Sequence, residues 1–424
     1  MNAAVQGGAG GEGWTWRRWH WGVLLAAVAL RLAYALTLNT EQIFFGWDGR
    51  EFHAYAQSLL AGRGDDYPRF FNFIRAPGYS LFLMPFVALD TGTLRHVQFA
   101  QVLLGGWQVW LLGLIAARWA GQRAGNWALV LGAFNPFLIY YCALLMTECL
   151  FITLLWAGLA ALQRLLPGHD ARDPWRWICW SGVALGLGCL TRPGLQLLLP
   201  AAALWIGWLA WRQGGARAAL ARMAGFTAVV SALLLPWQAA NVRAHGQFTL
   251  APWHGQAVHF QTHTLEYLAT YEARTKDDYY RAFGKACRDI STEPQAVPRE
   301  QWLARARAFR RDHPAEWWRL QRHKLVHFWT PWLNPLIFPR HQVWASALSQ
   351  TPLFLIALAE IARRLRRPDP FLALLLAVLA AGLLVGGMLF LTAVRYRIPF
   401  VDVAFLVLTA CWLGRWNWRR SEQR

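Results

Sequence analysis

The sequence predicts an all-α polytopic membrane protein with about ten transmembrane helices. Of its 424 residues, 56% are hydrophobic and only 15% are charged. Several apolar runs approach the ~20 residues that a helix needs to cross a bilayer. The chain also contains 27 Trp, a side chain enriched at the boundary between lipid and water. Together these features exclude a water-soluble enzyme.

The segments that we expect to span the membrane are separated by short polar connections. They centre on residues 20–38, 95–116, 126–144, 148–166, 177–190, 194–211, 220–239, 346–362, 371–392 and 398–414. The first has no small-residue cleavage site, so we expect a retained span rather than a signal peptide. A further apolar stretch, Tyr79 to Leu89, is shorter than the ~17-residue minimum and is predicted to lie in the outer interface.

The distribution of arginine predicts that both termini face the cytoplasm, because cytoplasmic loops retain Lys and Arg. With the N-terminus inside, 18 basic residues fall on the cytoplasmic side of the membrane, whereas the short outer connections hold only Arg192, Arg395 and Arg397. Much of the net charge of +19 then serves to orient the protein in the membrane. The basic clusters lie beside the membrane, where they can contact anionic lipid headgroups. We therefore expect a lipid bilayer as partner and no nucleic acid.

This topology divides the chain into tails, membrane helices and one large outer segment. The predicted parts are a cytoplasmic tail at 1–18, a transmembrane catalytic core at 19–240 with a first outer loop at 39–93, an outer helical segment at 241–345, C-terminal transmembrane helices at 346–414 and a cytoplasmic tail at 415–424. The outer segment holds eight of the 12 His and all three Lys. Two amphipathic helices are predicted in it, separated just before Pro314.

Two charged residues on the predicted outer side are the first candidates for chemistry. Asp48 follows the first span, and Arg75 begins an Arg-Ala-Pro-Gly-Tyr sequence that ends at Tyr79. A carboxylate in this position can accept a proton from an acceptor hydroxyl. A guanidinium can hold a phosphate with its planar fork. From the pattern alone, a solvated loop acid and a snorkelling arginine are the commoner explanation.

Short motifs follow one another in a characteristic order along the chain. After Asp48 and the Arg75 element come Asn135-Pro136, Thr147-Glu148, Thr191-Arg192-Pro193, Pro236-Trp237, Asn241-Val242-Arg243, His313-Pro314, Lys324 with Phe328-Trp329, and Arg395-Tyr396-Arg397-Ile398-Pro399. This order resembles the GT-C glycosyltransferases that use lipid-linked sugars. The resemblance is specifically to family 39, which includes protein O-mannosyltransferases and the aminoarabinose transferases that act on lipid A. The resemblance covers nearly the whole chain.

The resemblance implies roles for individual residues. Asp48 matches the catalytic base of the family, although Gly49 stands where relatives often have a second carboxylate. Glu148 matches an acid at the outer end of the fourth span, and a helix-capping role is its alternative. The residues implied for donor phosphate are Arg75, Arg243, Lys324, Arg395 and Arg397, and those implied for the substrate cavity are Tyr55, Tyr79 and Arg192. For each residue implied to bind the donor phosphate, there is an equally good alternative: the basic side chain snorkels to the membrane surface or serves the membrane topology.

A metal is not required by this pattern. His254, His259 and His263 could suggest a divalent ion, but no neighbouring Asp, Glu or Cys completes a familiar ligand set. The six cysteines form no CxxC site or disulfide framework. We therefore expect no required cofactor, with metal binding left open as a minor alternative.

The function that these features predict is inverting glycosyl transfer by a hexosyl or pentosyl transferase of the cytoplasmic (inner) membrane. The donor would be a polyprenyl-phosphate sugar, and the acceptor a hydroxyl or phosphate of a glycan, glycolipid or protein on the periplasmic or exterior side. A transporter or flippase for a lipid-linked or anionic substrate is the main alternative, although the chain shows no repeated halves. A non-catalytic subunit of a membrane assembly is a third possibility.

Overall fold

The computed structural model describes residues 14–44, 47–62, 75–89, 94–168, 173–245, 248, 258–292 and 299–415. Every regular element in these ranges is helical. The outermost parts of both predicted tails and His254 lie outside them. The prediction of an all-α fold is confirmed.

The N-terminal half contains the loop predicted to be outer and the helices that surround it. Its elements are α1 (Arg18–Thr37), α2 (Thr40–Phe44), α3 (Trp47–Leu60), α4 (Gly78–Ala88), α5 (Arg95–Ala120), α6 (Gln122–Ala133), α7 (Pro136–Cys142), α8 (Thr147–Gln163) and α9 (Pro174–Thr191). The predicted interfacial stretch forms α4, a helix of 11 residues that packs on α3 and α9.

The C-terminal half contains the outer helical segment and the last membrane helices. After a 3₁₀ turn (Pro193–Leu198) come α10 (Leu199–His245), α11 (Leu265–Glu272), α12 (Lys276–Thr292), α13 (Arg299–Asp312), α14 (Pro314–Trp329), α15 (Arg340–Leu365), α16 (Pro370–Gly382), α17 (Val394–Arg397) and α18 (Val403–Arg415). Two π-helical stretches, Leu383–Leu389 and Ile398–Asp402, follow α16 and α17. The segment predicted to be outer contributes helices α11 to α14 among its described residues.

By length and composition, six helices among the described residues could cross a membrane, or seven if the bent pair α7–α8 counts as one span. This number is below ten partly because two predicted spans form one continuous element, α10. That element is bent at Gly214 and Gly215, and Gly215 has a φ of +74°, a conformation that glycine adopts without steric cost. The bend divides α10 into two helical arms, 199–213 and 216–245, which match the two predicted spans.

The third predicted span, 126–144, is not one helix. It breaks between α6 and α7, where the Asn135 side chain accepts hydrogen bonds from the backbone N–H groups of Phe137 and Leu138. Pro136 occupies the first position of α7, where the missing N–H costs nothing. The sequence 135–136 therefore starts a new helix, and α8 follows α7 at an angle of 118°.

The core lies where α5, α8 and α9 pack around the C-terminal helices. The most enclosed element is α18 together with the stretch before it, since 83% of its apolar window is buried. The Trp156 indole on α8 donates to the Pro399 carbonyl at 3.0 Å, which fixes the start of this last element. Arg31, the charge inside the first span, is also fully buried, and it donates to the carbonyls of Ala27, Gly132 and Ala133.

Two ends of the bundle differ in composition. At one end, which we call the arginine end, Arg415 of α18 and Arg364 of α15 pair with Glu360, and Trp119 of α5 donates to Asp369. At the opposite end, Arg95 of α5 donates to the carbonyls at the end of α1, and Arg395 reaches Asp48. We call this second end the site end, because it carries the cavity described next.

Candidate active site

A cavity of about 680 Å³ opens at the site end. Its polar wall comes from α3, the segment before α4, the start of α8, the end of α9 and α17. The remaining wall is apolar and comes mainly from the 3₁₀ turn, both arms of α10 and the π-helical stretch after α16. The residues of this apolar wall include Leu195, Leu199, Ala203, Phe226, Val230, Leu234, Val385 and Leu389. The cavity therefore has a charged part and an apolar part, and helices long enough to span a membrane line the apolar part.

Asp48 lies at the centre of the charged part. It is the second residue of α3, where the helix N-terminus favours negative charge. Its Oδ1 accepts from Arg75 Nη2 at 2.7 Å, and its Oδ2 accepts from Arg395 Nη1 at 2.6 Å. The carboxylate is thus held between two guanidinium groups from distant parts of the chain.

Arg75 is shared by two carboxylates of α3. Besides Asp48, its Nη2 lies 2.5 Å from Glu51 Oε2, and its guanidinium stacks over the Phe52 ring at 4.9 Å. Burial opposes the charge on Arg75, but the two carboxylates outweigh it and raise the arginine pKa. Arg75 is therefore a fixed positive charge at the cavity wall.

A second ion pair lies beside the first. Arg192 donates to the fully buried Glu148 and, through Nε, to the Thr147 hydroxyl at 2.7 Å. Its Nη1 also lies 3.4 Å from the carbonyl oxygen of Arg395. Pro193 stops α9 at this point, so the Arg192 side chain turns into the cavity instead of continuing the helix. Glu148 thus positions Arg192, and Arg192 contacts the backbone that carries Arg395.

The structure brings together four of the residues implied by the sequence resemblance. Asp48, Arg75, Arg192 and Arg395 all line the cavity, and Glu148 is buried behind them. The other five do not line it. Arg243 is exposed near the end of α10, while Tyr55, Tyr79, Lys324 and Arg397 are buried elsewhere. Tyr79 donates to Gln101 at 2.8 Å and packs on Phe52, so it supports the cavity wall from behind.

Arg397 has a structural position rather than a place at the cavity. It is 1% exposed, forms an ion pair with Asp402 and donates to the carbonyls of Phe328 and Thr330. These partners belong to the end of α14 and to the start of the last span. The guanidinium therefore stabilises the junction between these two elements. The two arginines of the Arg-Tyr-Arg motif therefore differ in role, although the sequence does not distinguish them.

Lys324 lies behind the cavity wall, in a buried cluster with two histidines. Its Nζ is 3.4 Å from the Met388 carbonyl, and His259 Nδ1 is 2.7 Å from the Leu389 carbonyl. Burial lowers the pKa of Lys324 to about 7 and, together with the nearby Lys324 charge, that of His263 to about 2. The cluster holds the chain segment that leads to Arg395.

Two cavity neighbours were not assigned a role from the sequence. Glu51 follows Asp48 by three residues, a spacing that places both on one helix face and could have indicated the pair. Tyr396 lines the cavity and accepts a hydrogen bond at its hydroxyl from Arg395 at 2.9 Å. The Arg192 guanidinium also stacks over the Tyr396 ring at 5.3 Å, so this tyrosine lies between the two arginines.

Among the described residues, no three His, Cys, Asp or Glu side chains come together as a metal site. The His259 and His263 rings are 4.2 Å apart, but His259 Nδ1 faces a backbone carbonyl. The charges in the cavity wall come instead from arginine. These can neutralise an anionic substrate without a metal.

Comparisons with known proteins agree with this architecture. Residues 75–237 match the family model described as dolichyl-phosphate-mannose-protein mannosyltransferase. No curated protein sequence matches the chain.

Among solved structures, the fold is similar to that of the oligosaccharyltransferase of Archaeoglobus fulgidus. The AglB complex with an inhibitory peptide and a dolichol-phosphate has a TM-score of 0.53 and 15% identity, over 92% of this chain and 50% of that one. The apo form has a TM-score of 0.54 and 13% identity, over 94% of this chain and 51% of that one. The form tethered to an acceptor peptide with the NVT sequon has a TM-score of 0.54 and 14% identity, over 94% of this chain and 50% of that one. The chain spans about half the length of these structures.

The similarity to solved structures concerns the fold, because the identities are low, whereas the family match concerns the part of the chain that carries Arg75, Glu148 and Arg192. Residues 75–237 are therefore similar to the dolichyl-phosphate-mannose-protein mannosyltransferase family, and the fold of the chain is similar to that of the archaeal oligosaccharyltransferase.

Proposed function

We propose that this protein is an inverting glycosyltransferase that moves a sugar from a polyprenyl-phosphate carrier to an acceptor hydroxyl or phosphate. The observation that carries the proposal is the position of Asp48. This carboxylate lies between Arg75 and Arg395, at the charged part of a cavity whose remaining wall is apolar. A base, phosphate-binding charges and a channel for a lipid chain thus share one cavity.

The residue types fit the chemistry. A polyprenyl-phosphate sugar already has a good leaving group, so the protein must deprotonate the acceptor and stabilise the departing phosphate. Asp48 accepts the acceptor proton as the acceptor oxygen attacks the anomeric carbon, and direct displacement inverts that carbon. Arg75, Arg192 and Arg395 offer the positive charge that the departing phosphate needs.

The apolar wall fits the carrier lipid. Residues 195–203 and 226–234 of the cavity lining belong to helical segments that extend away from Arg192 along the membrane helices. A polyprenyl chain in this channel packs against apolar side chains and keeps its surface away from water, as it does in the bilayer. The dolichol-phosphate in the archaeal oligosaccharyltransferase complex supports a lipid-linked donor.

The active site is proposed to face the periplasm or exterior of a cytoplasmic membrane. Two predicted cytoplasmic arginines, Arg364 and Arg415, meet at the arginine end, while the cavity lies at the site end. Positive charge is retained on the cytoplasmic side of membrane proteins. Both termini are then cytoplasmic, and the outer segment at 241–345 is available to contact an acceptor glycan, glycolipid or protein.

The reaction is proposed to need no metal, because arginine supplies the positive charge around Asp48. Transfer should therefore continue within about twofold of its rate after chelation with EDTA, since no catalytic ion is removed. A complete loss that is restored by one added divalent cation would contradict this prediction.

The proposed function is tested with purified full-length protein in liposomes that contain a polyprenyl-phosphate sugar. Wild-type protein should transfer sugar to acceptors extracted from the cell envelope, and Asp48→Asn should lower kcat by about 10²-fold or more. Thermal unfolding of the variant checks that it is folded. Movement of the lipid-linked sugar across the bilayer without transfer would favour the transporter instead.

A further inference from the structure

Helix α3 carries a second carboxylate, Glu51, that the proposed reaction has not used. Its Oε2 lies 2.5 Å from Arg75 Nη2, and Asp48 Oδ1 lies 2.7 Å from the same nitrogen. Since both distances are measured to one atom, the two carboxylate oxygens are at most 5.2 Å apart. One water molecule can bridge such a separation.

The residue next to Asp48 cannot supply this second acid. A Cβ atom at Gly49 would collide with the carbonyl oxygen of Phe44 and lie 2.9 Å from that of Leu145. Both obstacles are backbone atoms, so a change of rotamer cannot relieve them. The close approach of α3 to Leu145 therefore excludes a side chain at 49. The next acid along the helix, Glu51, lies on the face that carries Asp48.

The surroundings of Glu51 suit proton transfer toward water. Its side chain is 34% exposed, compared with 22% for Asp48, so it is the more accessible of the pair. Burial and the nearby Asp48 raise the pKa of Glu51, although Arg75 opposes the shift. Of the other charged groups nearby, Arg395 contacts Asp48 and Arg50 is paired with Glu41. His53, on the same helix, packs against the Phe44 ring.

We propose that Glu51 is the second carboxylate of the site, where it fixes Arg75 and carries the acceptor proton from Asp48 toward water. This inference rests on the proposed glycosyl transfer. In that reaction the acceptor O–H bond breaks, the acceptor oxygen bonds the anomeric carbon, and the bond from that carbon to the phosphate oxygen breaks with its electrons on phosphate. The proton on Asp48 then passes through water to Glu51 and to bulk solvent, which restores Asp48.

The first test compares Glu51→Gln with Glu51→Asp and with Glu41→Gln, which alters an exposed acid of the same loop. Glu51→Gln should lower kcat by about tenfold or more, leave the donor KM within about twofold and displace the acidic limb of the pH–rate profile. Glu51→Asp should restore most of the rate, and Glu41→Gln should match wild type. A normal kcat and pH profile in Glu51→Gln, or a loss confined to donor KM, would overturn the proposal.

The second test needs no transfer and uses infrared difference spectroscopy of the carboxyl groups in the full-length protein. The band lost in Glu51→Gln should titrate above the ordinary glutamate pKa and should shift when Asp48 is changed to Asn. If the Glu51 band titrates in the same way with and without the Asp48 carboxylate, the two residues do not share a proton and the proposal is wrong. If this coupling is present but wild-type protein transfers no sugar, the glycosyltransferase assignment fails while the carboxylate pair stands.

Discussion

Arg395 donates from Nη1 to Asp48 Oδ2 at 2.6 Å, although the two residues are 347 positions apart in the chain. This contact connects the first outer loop to the last membrane span at the cavity. It also fixes the orientation of the carboxylate that we propose as the general base. The stability of the site therefore depends on both ends of the chain.

The first prediction separates two arginines that lie two residues apart. Arg395→Met should lower kcat by about 10²-fold, because it removes one positive charge that stabilises the departing phosphate. Asp48 retains Arg75 in this variant, so the protein should stay folded. The measurement is sugar transfer together with thermal unfolding in detergent.

Arg397→Met is the matched comparison for that experiment. It leaves Asp402 buried without its partner, which should cost about 3–5 kcal/mol of stability. The expected result is lower thermal stability and a loss of activity that follows the loss of folded protein. A folded, inactive Arg397→Met together with a fully active Arg395→Met would reverse the roles assigned to the two residues.

The second prediction concerns the ion pair between Glu148 and Arg192. Glu148 is fully buried, so the two partners should be strongly coupled. A double-mutant cycle with Glu148→Gln and Arg192→Gln should give a coupling energy of about 1–3 kcal/mol in SDS-induced unfolding. The exposed pair of Glu41 and Arg50 is the control, with a coupling below about 1 kcal/mol. Equal coupling in both pairs would refute the positioning role of Glu148.

The third prediction tests the apolar channel. Ala203→Phe places a large side chain in the cavity wall, whereas Leu204→Phe alters the next residue, which is exposed on the outer surface of the helix. Ala203→Phe should raise the donor KM by about tenfold for a long polyprenyl chain but change it little for a short-chain analogue, because only the long chain needs the channel. Leu204→Phe should leave both values unchanged. Equal effects on both donors would place the lipid elsewhere.

The fourth prediction follows from the lowered pKa of Lys324, which burial brings to about 7. Between about pH 7 and the ordinary lysine pKa of 10.5, the unfolded chain holds a proton that the folded protein lacks, so stability rises with pH. Lys324→Met should therefore stabilise the protein by a few degrees near pH 7, and the gain should shrink toward pH 10. The readout is thermal unfolding across this pH range.

The exposed Lys285 provides the control for that experiment. Lys285→Met removes a positive charge from an exposed position, so it should not reproduce the stabilisation expected for Lys324→Met. If Lys324→Met lowers stability at every pH, the contact of Lys324 with the Met388 carbonyl is more important than the cost of its burial.

The sequence by itself determined the all-α class, the approximate positions of the membrane segments and the separate short helix at 78–88. Hydrophobic length and periodicity are local properties, so they can be read along the chain. The order of motifs also indicated Asp48, Arg75 and Arg395 before their geometry was known. The break within the span predicted at 126–144 was harder to predict, since the capping by Asn135 occurs inside a long apolar run. The bend at Gly215, in contrast, lies in the polar connection between two predicted spans.

Only the tertiary structure decided which charged residues share the cavity. Arg395 and Arg397 have the same residue type and almost the same position, yet one meets Asp48 and the other meets Asp402. Lys324 is likewise buried behind the wall, while Glu51 joins the site through Arg75. These differences depend on contacts between segments far apart in sequence. Such contacts are set by the packing of helices around the core and leave no local pattern that could predict them.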